Sequence, residues 1–202
     1  MLVHKIKRNR VYGLLTVTTL LALGATKVDA ATIDFEGLSD STTVTAQYPG
    51  LTFTNAIVLT AGISLNEFEF PPRSGTNVLS DNGGIITITF AAPVTSFSGY
   101  FTYLTTLTLT AFGASSNQLG QTGSSFSSNL ALSGDPGSSP NEFLTLTFAS
   151  GISSVTIAGD PAGGSFVLDD LMYQAATIAS PEPTSLLLLA TGLVTLALLK
   201  AS

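Results

Sequence analysis

The 202-residue chain is 45% hydrophobic and only 10% charged, carries a net charge of −6, and has no cysteine, no tryptophan and a single histidine, His4. Between residues 31 and 180, Arg73 is the lone base against eleven acids, so no nucleic-acid partner is expected, since phosphate binding needs a basic surface. Thiol catalysis, zinc–thiolate sites and histidine triads are excluded there as well. Cations or neutral, hydroxyl-rich polymers fit an acidic domain better.

Residues 1–30 read as a secretory signal peptide. His4, Lys5, Lys7, Arg8 and Arg10 form a basic start, Val11 to Ala25 is apolar, and Val28-Asp29-Ala30 fits a small-residue cleavage site. The mature chain is expected to begin at Ala31. Residues 31–174 form the expected domain, long enough for a sizeable core.

That domain reads as strand after strand. Thr32–Phe35, Thr43–Tyr48, Leu51–Phe53, Ala56–Thr60, Ile85–Phe90, Val94–Tyr103, Thr106–Phe112, Phe143–Phe148, Ser154–Ile157 and Ser165–Tyr173 alternate apolar with polar residues and are rich in Thr, Val, Ile and Phe. A further weak strand is expected around Phe126, inside the Gly/Ser-rich stretch 115–139. Turn signals such as Pro49-Gly50, Asp81-Asn82-Gly83-Gly84 and Asp135-Pro136-Gly137 separate the runs. No internal segment has capped helical periodicity. The pattern predicts an all-β, antiparallel β-sandwich, most simply a jelly roll.

Two constellations are candidate sites. Asp34 and Glu36 open the domain, and Asp169 and Asp170 close it. First and last strands of a jelly roll commonly lie near each other, which would gather four carboxylates suited to Ca²⁺. Asp169 and Asp170, being adjacent, are expected on opposite strand faces, so one of them ligates more easily. This pattern resembles the structural calcium site of carbohydrate-binding β-sandwich modules. The second constellation is LNEFEFPPRSGTN, residues 65–77, where Phe68, Phe70 and Arg73 could form a ligand-binding rim. Its plainer reading puts Phe68 and Phe70 on one face as core and pairs Arg73 with a glutamate. Tyr48, Tyr100, Tyr103 and Tyr173 are further stacking surfaces. Glu67, Glu69 and Glu142 could supply a glycosidase pair, but no motif sets an acid against a base. The domain is read as non-catalytic.

Residues 175–180 read as a linker, and residues 181–202 as a sorting tail. Pro181-Glu182-Pro183 resists helix formation and precedes the 14-residue apolar run Leu186–Leu199 and then Lys200. As a helix that run would span about 21 Å, short against a hydrocarbon core of about 30 Å. The arrangement resembles the PEP-CTERM sorting signal of exopolysaccharide-producing Gram-negative bacteria, although such tails usually end in several arginines. The resemblance implies recognition by an exosortase, a transient stay in the inner membrane through the C-terminal helix, and release to the cell surface or matrix. The domain between DFEGL at residue 34 and FVLDDLMY at residue 166 also looks like domains found upstream of such tails. These readings together describe an exported surface or matrix protein, associated with exopolysaccharide. A calcium-stabilised carbohydrate-binding module and a glycan-acting enzyme are the alternatives.

Overall fold

The computed structural model describes residues 30–176. The expected signal peptide (save Ala30), the motif Pro181, Glu182 and Pro183 and the tail helix lie outside them. Ten antiparallel strands and no helix make up the described residues: β1 (Ala30–Ile33), β2 (Thr43–Val44), β3 (Leu51–Thr54), β4 (Ala56–Thr60), β5 (Asn77–Asp81), β6 (Ile86–Tyr103), β7 (Thr108–Phe112), β8 (Gln118–Gly123), β9 (Glu142–Ala158) and β10 (Phe166–Ala175). The expected linker therefore starts inside β10, which runs to Ala175.

The strands form one hydrogen-bonded network folded into two layers. In the first, β3 pairs the start of β6, which pairs the end of β9, followed by β7 and β8. In the second, the order is β2, β4, β5, β10, the end of β6 and the start of β9, with β1 beside the end of β10. β6 and β9 belong to both layers. They cross between them at register shifts between Thr89 and Ser96, where Pro93 and Gly151 sit. A straight strand would set Phe90 and Phe97 about 23 Å apart at 3.3 Å per residue; their ring centroids lie 6.5 Å apart. The strand has turned back on itself, so that both rings point into one core. Bulges and bends of this kind make the corners of sandwiches.

Alternation sends one set of side chains inward. Phe35, Phe53, Ile88, Phe97, Phe101, Leu109, Leu146, Ile157 and Leu168 belong to a single buried cluster drawn from both layers. Gly99 fits that packing, since a Cβ there would require the Leu168 Cδ1 to move. A smaller cluster of Leu65, Val78 and Val167 sits on the outer side of the second layer, with Leu59, Ala61 and Phe70 against it. It is roofed by the β4–β5 connection, residues 61–76, a strap across the outer face.

Strand expectations change in several places, and the expected pairs 85–90 with 94–103 and 143–148 with 154–157 are single strands, β6 and β9. Residues 43–48 keep strand form only as far as Val44, because Gln47 folds back to accept from the Thr45 N–H and donate to the Thr43 carbonyl. No strand forms around Phe126, which instead packs its ring against the main core; the strand of that region is β8, upstream of it. β5 was not anticipated at all.

Candidate functional site

The outer face of the second layer is divided by the strap. Under it, Thr102, Val167 and Asp169 are buried although their side chains point away from the core. Beyond it, Tyr100, Ser98 and Ser96 of β6 stand opposite Phe143, Thr145 and Thr147 of β9.

Carboxylates hold the strap in place. Glu36 Oε1 accepts the Thr76 and Asn77 N–H groups at 2.8 and 2.6 Å. Asp169 Oδ2 accepts the Arg73 and Ser74 N–H groups at 2.8 and 2.9 Å, and its Oδ1 accepts the Asp170 N–H at 2.7 Å. Asp170 accepts Arg73 Nε at 3.1 Å and the Ser74 hydroxyl at 2.9 Å. At the far end Glu69 accepts the Leu132 and Ser133 N–H groups, while the Asn141 amide donates to the Pro71 carbonyl.

Asp34, Glu36, Asp169 and Asp170, the residues of the expected calcium set, are engaged in these contacts and in one local turn. Phe35 takes a left-handed φ of 63°, so Asp34 and Glu36 do not continue β1. Asp34 turns to accept the Glu36 N–H, an Asx-type turn, and Glu36 reaches the strap. Asp170 also has a left-handed φ, 45°, at a bulge where two residues of β10, Asp170 and Leu171, match one of β6, Gly99. The bulge cancels strand alternation, so Asp169 and Asp170 reach the same two residues rather than opposite faces. Among the described residues no group of three or more acidic or histidine side chains is placed to hold a metal. N–H and O–H donors face these oxygens.

The strap residues also separate. Residues 66–70 form a turn, with Glu69 and Phe70 N–H donating to the Asn66 carbonyl. Phe68 and Phe70 therefore do not share a face: Phe70 packs on the small cluster and Phe68 is 71% exposed. Arg73 pairs with Asp170, not with a glutamate. Its guanidinium carbon lies 3.4 Å from the Tyr100 ring centroid, a cation–π stack. Tyr100 in turn meets Phe143 at 5.1 Å.

The other tyrosines are not stacking surfaces. Tyr103 is buried, its hydroxyl donating to Glu142, and burial, reinforced by that bond, pushes it up to about 12. Tyr173 packs against the core. The Tyr48 ring is wedged between Phe35 and Phe53 and its buried hydroxyl has no partner among the described residues; burial, then Asp34 and Glu36, raise it to about 12. Tyr48 lines an open depression of about 310 Å³ with Pro49, Leu51, Thr52, Thr89 and Ala91, which is mostly apolar and gathers no charged group. Glu69 and Glu142 serve as acceptors for loop N–H groups, which leaves no acid–base pair assembled from them.

The result is a flat polar and aromatic platform. Arg73 lies on Tyr100 with its side chain 43% exposed, Phe143 beside it is 49% exposed, and hydroxyl rows extend from both. Phe143 carries no motif. Its one signal in the sequence is phase: a phenyl ring in step with Thr145 and Thr147, on the polar side of an alternating strand.

No family model matches the chain, and no curated protein matches it. Among solved structures the fold is similar to the K2 cleaved adhesin domain of Lys-gingipain, at 12% identity and a TM-score of 0.47 over 72% of this chain and 99% of that one. It is also similar to the K1 cleaved adhesin domain of Lys-gingipain from Porphyromonas gingivalis W83, at 8% identity and a TM-score of 0.44 over 74% and 99%. A third is the family 11 carbohydrate-binding module from Clostridium thermocellum, solved with a β-1,3-1,4-mixed-linked tetrasaccharide, at 11% identity and a TM-score of 0.35 over 75% and 98%. At these scores the functional reading rests on the chain's own residues.

Proposed function

We propose that this protein is an exported, non-catalytic surface or matrix component whose sandwich binds a neutral polysaccharide at the Arg73–Tyr100–Phe143 platform. The observation that carries the reading is the clamped arginine. Asp170 neutralises Arg73 and fixes it flat on Tyr100, so the group offers directed donors without net positive charge. The surrounding domain is acidic and repels polyanions. Phe143 supplies a ring for a sugar face, and Ser98, Thr145 and Thr147 supply hydroxyls in line with it.

Export and sorting complete the proposal. The signal peptide takes the chain across the inner membrane, and the tail at Pro181–Pro183 presents it to an exosortase-type enzyme that releases it toward exopolysaccharide. Calcium is not needed for the platform.

Binding is tested with the exported protein titrated against the producing cells' own exopolysaccharide. Saturable binding is expected, weakened about 3–10-fold by Phe143→Ala, in line with one aromatic contact of about 0.5–1.5 kcal/mol. Unaltered affinity in both Phe143→Ala and Arg73→Ala would remove the platform. Sorting is tested by intact mass of the exported protein: loss of the residues beyond the Pro-Glu-Pro triplet supports it, and a retained tail overturns it.

A further inference from the structure

We infer that the free edge of β9, from Glu142 to Ala149, pairs with the same strand of a second copy of this chain. The first half of β9 bonds β6 on one side, and among the described residues nothing bonds its other side. Unpaired edges are normally blunted by lysine, proline, bulges or brevity. The other free edges here follow that rule. β2 has two residues, β3 has four, and β8 carries Gly120 and Gly123 and a register shift. The stretch of β9 from Phe143 to Thr147 has no such device: no charge, no proline and no register shift.

The sequence of this edge is complementary to itself. An antiparallel pair centred on Thr145 sets Phe143 opposite Thr147, Leu144 opposite Leu146, and Thr145 opposite its own copy. Leu144 and Leu146 both face the core, while Phe143, Thr145 and Thr147 are exposed on the outer face, so each side chain meets one from the same face, as an isologous two-fold contact requires. Charge selects the same register. In an acidic domain a second copy is repelled except where no acid stands. Here Glu142 falls opposite Phe148, and the two Glu142 residues stand six positions apart, about 20 Å along the strand, beyond the screening length of about 8 Å at physiological salt. The pairing would join two outer faces into one sheet carrying two Phe143 rings. It stands whether or not the platform binds glycan.

The absence of cysteine makes the test direct. In the full-length chain in mild detergent, T145C should form a disulfide-linked dimer on oxidation, because directly opposed strand residues fall within disulfide reach. S133C, exposed on the β8–β9 connection, is the control for chance collisions and tail-driven association, and T145C should exceed it several-fold. T145K, which sets two like charges face to face, should lower the sedimenting mass by one copy relative to wild type while its far-UV spectrum is unchanged. The inference is overturned if T145C links no better than S133C, or if T145K sediments as wild type does.

Discussion

Replacing Asp169 with asparagine should alter how stability depends on pH, and the sign follows from the site. Asp169 is fully buried on β10 and accepts N–H groups from Arg73, Ser74 and Asp170; Asp170 and the Arg73 guanidinium are the charges beside it. Burial pushes its carboxyl up from 3.8 to about 6; the three N–H donors pull the other way and the Asp170 charge adds to the rise. Between those two values the folded chain holds a proton that the unfolded chain has released. The stability tied to this group is therefore complete below about 3.8 and is lost as pH rises through about 6. A shift of about two units corresponds to about 3 kcal/mol. The asparagine of D169N takes up no such proton. The stability difference, wild type minus D169N, should then move toward wild type by about 2.4 kcal/mol of that between pH 7 and pH 4, or roughly 5–10 °C in Tm for a domain of this size. Taking the difference removes Asp40 and Glu69, which hydrogen bonds from Ser64 and Leu132 hold below the usual carboxylate range and which act in the opposite sense. Thermal melts by far-UV circular dichroism at pH 4, 5, 6 and 7 measure it. A difference that stays constant across that range would refute the burial argument.

Further outcomes follow from the same contacts. Asn129→Ala should cost about 2–4 kcal/mol in chemical denaturation, because the buried amide bonds the Tyr103 N–H and the Phe101 and Ser139 carbonyls at once. Gly75→Ala should destabilise by at least about 1 kcal/mol, since Gly75 has a φ of +55° and its new methyl would fall on the Glu36 carboxylate that anchors the strap. Phe68→Ser, at a side chain in solvent, should leave the denaturation midpoint within about 0.5 kcal/mol of wild type; a larger loss would mean that the ring is packed. Excess chelator should leave Tm unchanged, and a clear fall would restore a bound cation to the acidic ends.

Much of the fold was legible because most strands have one wet face. The expected bounds of β4 match to the residue, and the alternation of β7 is plain. β5 was hidden since NVLSD is buried along its whole length, the core on one side and the strap on the other, so no period of two is left to read. β8 was hidden for the opposite reason: QLGQTG has almost nothing apolar, and its form comes from pairing with β7. β6 and β9 each read as two strands because Pro93 and Gly151 look like ends, whereas they are corners. In the site, Arg73 and Tyr100 stood out by type. The contacts made by Asp34, Glu36, Asp169 and Asp170 are not legible in the sequence, for one reason. A carboxylate accepts from an amide as readily as it binds a cation, and the left-handed residues Phe35 and Asp170, which decide where the oxygens point, are not glycines and carry no local signal.

The crossing of β6 and β9 between the layers also bears on how the chain folds and how it comes apart. A sandwich whose sheets shared no strand could lose one layer and keep the other as a partly ordered remnant. Here neither layer closes without the other, and the pairings that close them join residues far apart in sequence, such as Ile86 with Ile157 and Ala30 with Gln174. Folding should accordingly be slow for the chain's size and nearly all-or-none. Amide hydrogens of β6, β10 and the β9 residues that bond β6 or β7 should exchange together through global opening, while the strap and the β8–β9 connection exchange earlier through local opening.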